Sequence, residues 1–161
     1  MTNGRKVFLQ TLTEFAEKDP KVILIVGDVG FSFVEDFKKR FPNQFINVGV
    51  LEQSMMGIAA GMARMGWKPY VYTMINFIVF RPFEQVRNDL CYSNANVKLF
   101  GVEGSAAYKF LGYSHNITPG EDIKMLEGLP NLTMYIPSTE EFLAEKMRFE
   151  FERQGPSYFR I

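Results

Sequence analysis

Two hydrophobic rhythms alternate along this chain. Val7, Phe8, Leu12 and Phe15 keep a helical spacing, and Pro20 closes that region. Lys21-Val-Ile-Leu-Ile-Val26 is an unbroken apolar run rich in β-branched residues, as expected of a strand buried on both faces. Gly27-Asp28-Val29-Gly30 follows as a loop. Val34–Phe41 predicts a short helix closed by Pro42, Phe45–Gly49 a strand, and Glu52–Met65 a helix ended by Gly66. Tyr70–Thr73 predicts a strand, Phe80–Cys91 a helix, Val97–Val102 a strand, Glu121–Leu129 a helix stopped by Pro130, and Leu132–Ile136 a strand. Ser138–Arg153 predicts a helix with Ser138 as N-cap and Glu141 three residues later, a capping box. Tyr158–Ile161 predicts the last strand.

Strands separated by helices of this length imply right-handed βαβ units. The expected fold is α/β, a parallel β-sheet with helices on both faces. Ligands in such folds bind beyond the C-terminal strand ends. That directs attention to the loops Gly27–Ser32, Gly49–Glu52, Thr73–Arg81 and Gly101–Ile117. No fixed-period repeat, low-complexity segment or linker composition divides residues 1–161, so one domain is expected.

Composition narrows the function. Eighteen Lys plus Arg balance eighteen Asp plus Glu, which gives no support for a nucleic-acid or anionic-membrane partner. A single cysteine, Cys91, excludes an internal disulfide framework and a cysteine zinc site. With His115 as the one histidine, a multi-histidine metal site is excluded too. No apolar run approaches the ~20 residues a membrane span needs, and the first residues lack a signal-peptide layout. A cytoplasmic, soluble protein is expected. Sixteen Phe and nine Met are many for 161 residues, and part of that apolar surface is expected to meet another subunit.

The chemistry concentrates in Glu52–Met65, EQSMMGIAAGMARM, uncharged from Gln53 to Ala63. A helix apolar nearly all round is buried on most sides. Gly57 and Gly61 form a small-residue ridge that admits another backbone. Glu52 reads in two ways. It caps a core helix, where the dipole favours a carboxylate, or it is a buried carboxyl suited to sharing a proton with a ligand nitrogen. Phe77, Phe80 and Phe83 recur at three-residue intervals. They read as core, or as a flat wall for an aromatic ring.

Asn47-Val-Gly-Val-Leu-Glu-Gln-Ser-Met-Met-Gly-Ile-Ala-Ala-Gly-Met-Ala63 resembles the pyrimidine-binding domain of transketolase-like, thiamine-diphosphate-dependent enzymes. The resemblance continues through Thr73–Asn88, Gly112-Tyr-Ser-His115, Glu121-Asp122 and Leu129-Pro-Asn-Leu-Thr-Met-Tyr-Ile-Pro137. It implies the thiamine-diphosphate-binding fold of the pyrimidine type. It implies that Glu52 binds N1′ of the aminopyrimidine, where a hydrogen-bonded buried carboxyl stabilises the tautomer that activates the thiazolium. Phe77 takes the position of the stacking aromatic, and Phe80 a neighbouring aromatic position; Phe83 is kept as core. Asp28 falls on an acidic position near the thiazolium, with a turn or cap role as its alternative. His115 matches a histidine at the substrate, able to hydrogen-bond a hydroxyl or developing oxyanion. Arg5 and Ser32 fall where transketolases help hold a sugar phosphate, and Arg suits bidentate phosphate binding.

The chain also departs from that pattern. Leu111 stands where transketolases carry an acidic residue four positions before the histidine, and Glu103 where they have a phosphate-contacting histidine. A further family arginine would lie just past Arg160-Ile161. The phosphate clamp is incomplete, which points away from an ordinary sugar phosphate. A non-phosphorylated, nucleotide-linked or otherwise altered ketose is expected, or a 2-oxo acid. Gly27-Asp28-Val29 lacks the third glycine of the diphosphate-binding Gly-Asp-Gly segment, so no metal ligand is expected here. The resemblance implies a partner subunit with the diphosphate-binding domain and Mg²⁺, in an α2β2 assembly. The transketolase C-terminal domain is also expected to be absent. The reading is the pyrimidine-binding subunit of a split transketolase-like enzyme. Its alternatives are a 2-oxo acid decarboxylase or carboligase subunit, and a non-catalytic module on the same fold.

Overall fold

The computed structural model describes residues 4–102 and 106–161. Six parallel strands form one sheet: β1 (Val22–Val26), β2 (Phe45–Asn47), β3 (Lys68–Met74), β4 (Lys98–Val102), β5 (Thr133–Tyr135) and β6 (Ser157–Arg160), in the order β2-β1-β3-β4-β6-β5. The register sets Ile25 beside Ile46 on one side and Val71 on the other. From β1 the chain winds out to edge strand β2, then returns past β1 to β3. The winding therefore reverses between β1 and β3, the switch point where open α/β sheets hold ligands.

All of β1 is buried, and its side chains split between two cores. Ile23 and Ile25 face Met55, Met56 and Ala59 of α3 (Glu52–Arg64), with Val71, Leu99 and Tyr158 from neighbouring strands. Val22, Leu24 and Val26 face Phe8, Leu12 and Phe15 of α1 (Gly4–Lys18) and Leu143 and Met147 of α6 (Glu140–Glu152). This second layer is aromatic: Phe8 lies 4.3 Å from Phe100, which stacks on Phe159 at 4.6 Å. Of the remaining helices, α2 is Glu35–Arg40 and α5 is Glu121–Leu126. Among the described residues no helix is long and apolar enough to cross a membrane.

The expected elements recur with four differences. The helix expected over Phe80–Cys91 begins earlier and is wound in pieces. Asn76–Phe80 and Val86–Tyr92 have wide π turns, and the short α4 (Phe83–Gln85) lies between them. Pro82 has no N–H and its ring crowds the preceding turn, and Arg81 N–H reaches back five residues to Asn76 O at 3.3 Å. Second, α5 stops at Leu126, because Glu127 is extended and Gly128 has φ 82°. Third, the segment expected as a loop holds a 3-10 helix, Ala106–Ser114, kinked at Gly112 where φ is 57° and ψ −148°, a conformation suited to glycine. Fourth, α6 is capped by Thr139, whose Oγ1 accepts from Phe142 N–H at 3.1 Å, and not by Ser138. Thr139→Ala is therefore expected to cost about 1 kcal/mol in urea unfolding and Ser138→Ala under about 0.5 kcal/mol. The reverse ranking would restore Ser138 as the cap.

The expectation for α3 also needs correction. Gln53, Ser54, Gly57, Ile58 and Gly61 are exposed, so the helix is buried along one face only. A Cβ placed on Gly57 or Gly61 would meet nothing within 4 Å, so no backbone among the described residues approaches that ridge. Leu51 and Met65 flank it, also exposed.

Candidate functional site

Apart from Arg5 on α1, the candidate residues follow the C-terminal ends of β1, β2, β3 and β4. Glu52 is the first residue of α3 and only 5% exposed, at a helix N-terminus where unpaired N–H groups favour an anion. Its Oε1 accepts from Arg81 Nη1 at 2.8 Å. The same guanidinium lies over the Phe77 ring, 3.9 Å from its centroid. Phe77, 7% exposed, meets the His115 imidazole edge-on at 5.1 Å. Glu52, Arg81, Phe77 and His115 thus form one continuous line of contacts.

The His115 loop is pinned by two amides. Asn76 Nδ2 donates to Tyr113 O and Asn116 O, both at 3.1 Å, which ties the loop to the helical turn carrying Phe77. Asn116 Nδ2 donates to Tyr108 O at 2.9 Å and Gly112 O at 2.7 Å, closing the loop on itself. Ser114 Oγ lies 2.8 Å from His115 Nδ1, which leaves Nε2 as the nitrogen for another group. Phe80 is half-buried and lines the same groove as Phe77, whereas Phe83, expected as core, is only half-buried at α4.

Arg5 and Asp28 share a second cleft of about 260 Å³ at the β1–β3 switch point, beside Tyr72 and Thr73. Arg5 lies over Phe33 at 4.5 Å. Burial pushes the Tyr72 phenol above its ordinary value, and the Arg5 guanidinium opposes that rise. Asp28 has φ 54°; its N–H donates to Asn47 Oδ1 at 3.0 Å and its Oδ1 accepts from Asn47 Nδ2 at 3.3 Å. The turn role is therefore real for Asp28, and it holds the carboxylate at the rim. Tyr108 lines this cleft and stacks on His115 at 5.8 Å, so the two halves of the site touch. Ser32 stands apart: it is exposed, at φ 58°, and its N–H donates to Glu35 Oε1 at 2.7 Å, at the entry to α2. Leu111 is half-buried, and Glu103 lies outside the described residues.

The motif pair Glu121-Asp122 divides its work. Glu121 lines the Phe77 groove and accepts from Thr118 N–H at 2.9 Å. Asp122 is fully buried and takes Tyr158 Oη at 2.6 Å and the Arg160 guanidinium. Burial alone would raise its carboxyl, but Arg160 and Tyr158 outweigh that and hold it below the usual carboxylate range. Arg81, Asn76, Asn116, Tyr108 and Asn47 were not singled out from the residues alone. Arg81 had a local signal: it follows Phe77 by four positions, a spacing that brings a helical cation over a ring.

Comparison with known proteins bears on the family and the fold. The family model described as transketolase, pyrimidine binding domain matches residues 1–161. A subunit of the apulose-4-phosphate transketolase of Phocaeicola vulgatus is 35% identical over 158 residues, 98% of this chain and 50% of that protein. The 6-deoxy-6-sulfo-D-fructose transketolase subunit SqwH of a Clostridium species (strain MSTE9) is 30% identical over 98% of this chain and 48% of its own length. A solved structure described as a split gene transketolase, inactive beta4 tetramer, superposes with a TM-score of 0.85 at 32% identity, over 98% of this chain and 50% of that one. This chain spans about half the length of these relatives. Matched by that model from end to end, the chain belongs to the transketolase pyrimidine-binding domain family.

Proposed function

We propose that this chain is the pyrimidine-binding subunit of a split, thiamine-diphosphate-dependent transketolase, moving a two-carbon ketol unit from a ketose to an aldehyde. One observation carries the reading: Glu52 and Phe77 together hold a single planar, nitrogen-bearing group. In this structure that group is the Arg81 guanidinium, lying over the ring with an N–H on the carboxylate. An aminopyrimidine makes the same two demands, so the residues present fit it. When bound, thiamine diphosphate supplies a carbon nucleophile for the donor carbonyl.

The chain's own residues then have distinct tasks. Glu52 holds a proton at ring nitrogen N1′, and its low exposure keeps water from competing for it. Phe77 sets the plane of the ring, and Phe80 closes its edge. His115, with Nδ1 against Ser114, presents Nε2 to a donor oxygen. Arg5 and Asp28, which both line the second cleft, suit a substrate with hydroxyls and an anionic end; Ser32, outside that lining, has no task in it. The relatives' substrates, apulose 4-phosphate and 6-deoxy-6-sulfo-D-fructose, are ketoses with anionic groups of different kinds. They support an altered ketose here.

The chain is read as one pyrimidine-binding domain whose partner carries the diphosphate-binding domain and Mg²⁺, in an α2β2 assembly. The open ridge of α3, flanked by exposed Leu51 and Met65, supports a partner. So does a neighbour described as an inactive β4 tetramer. Calorimetry with thiamine diphosphate and Mg²⁺ tests this, on the chain alone and mixed with a diphosphate-domain subunit. Binding is expected only in the mixture, and Glu52→Ala is expected to abolish it. A well-formed complex that takes up no cofactor would leave the shared-site reading without support.

A further inference from the structure

Arg81 has no task in that scheme, yet it stands between the two residues that define it. Two openings meet at its side chain. One, of about 350 Å³, is lined by Phe77 and Phe80; the other, of about 370 Å³, is lined by Leu51 and Glu52. Arg81 lines both and so forms the wall between them. The side chain is 45% exposed, against 6% for that of Glu52. It approaches from solvent and covers a buried carboxylate.

Resting on the reading that Glu52 and Phe77 receive an aminopyrimidine, we infer that Arg81 is a displaceable occupant of that ring's seat. Its chemistry suits the part. A guanidinium is planar, carries its N–H donors in that plane, and is weakly hydrated, so it can lie on a ring and donate to a carboxylate at once. Without it, Glu52 would hold its charge in a poorly solvated position with only a helix N-terminus in support. Yet the hold is weak. With its cation 45% exposed, the ion pair is screened on one side, and the cation–π contact made from that same solvent-facing side is modest too. Arg81 therefore keeps Glu52 paired in the free chain and yields to a ring that fits better. Swinging it aside joins the two openings into one groove, with the carboxylate at one end and the aromatic wall at the other.

Such an occupant lowers the apparent affinity by the fraction of time it leaves the seat open. In the assembled complex, Arg81→Ala is expected to bind thiamine diphosphate about five- to tenfold more tightly than the wild type. Arg81→Lys, which keeps the charge but loses the plane, is expected to fall between them. A second readout needs no cofactor: the Arg81 guanidinium ¹⁵N signals of the free chain are expected to shift on Glu52→Gln. Unchanged or weaker binding by Arg81→Ala overturns the inference and leaves the cofactor reading standing. Guanidinium signals indifferent to Glu52→Gln overturn it as well. Absence of binding by both complexes overturns the cofactor reading and the inference with it.

Discussion

Glu52→Gln, assembled with a diphosphate-domain subunit, is expected to lose about two to four orders of magnitude in kcat while keeping thiamine diphosphate affinity within about tenfold. The amide has the size of the acid and still hydrogen-bonds a ring nitrogen. It cannot hold and release a proton there. The substitution should be mild for the fold. Glu52 leads a helix rather than filling a core, and its ion partner Arg81 is half-exposed, a class of pair worth about 0–1 kcal/mol. Loss of turnover without loss of binding or folding separates the proton's role from simple occupancy of the pocket. Turnover near the wild-type level would remove Glu52 from the chemistry and favour a non-catalytic module. Failure to bind at all would show that the carboxylate serves affinity rather than proton transfer.

How far the chain was legible differs between fold and site. The run Val22–Val26 is buried on both faces as its unbroken hydrophobicity implies, and α3 begins and ends within a residue of its expected bounds. Local rules failed where two neighbours compete or the helical period changes. Ser138 and Thr139 are both competent caps, and Thr139 takes the role because its backbone is extended there, φ −132° and ψ 159°. The π turns around Pro82 depart from the 3.6-residue period, so the recurrence of Phe77, Phe80 and Phe83 did not mark the start at Asn76. The side chains that build the site depend on distant partners. Arg81 meets Glu52 from 29 positions away, Asn76 meets Asn116 from 40, and Asp28 meets Asn47 from 19. A window of helical or strand length sees none of these pairs. The family resemblance supplied Glu52, Phe77 and His115 because it carries that long-range information. It said nothing of Arg81, whose contacts only the folded chain displays.

The largest effect on stability is expected far from the site, at the N-terminal end of β4. Lys98 is 3% exposed, and its Nζ donates to Glu150 Oε2 at 2.9 Å, Arg153 O at 3.0 Å and Gly155 O at 2.8 Å. Fully buried Glu150 also accepts from Arg153 Nε at 2.6 Å and Tyr135 Oη at 2.9 Å. Burial pulls the lysine down to about 8, against the support of Glu150. Burial also opposes the glutamate's charge, but Arg153 and Lys98 overcome it and hold the carboxyl below its usual range. Glu150→Gln would leave a buried ammonium without its counter-ion. The expected loss is about 3 kcal/mol near pH 6, at the low end for a broken buried pair because two carbonyls still hold Nζ. The pH dependence follows from the lysine. Its folded-state pKa lies below the unfolded value, so the unfolded chain binds more protons between the two and stability rises with pH across that interval. Removing the carboxylate lowers the folded-state value further and opens the interval at lower pH in the variant. The deficit relative to wild type should therefore narrow between pH 6 and about 8, then stay level. Urea unfolding across that range checks it. A deficit equally large at every pH would mean that lost packing, rather than a stranded charge, is the cause. Adding Lys98→Met to Glu150→Gln should recover part of the loss, since the double variant leaves no ammonium to bury.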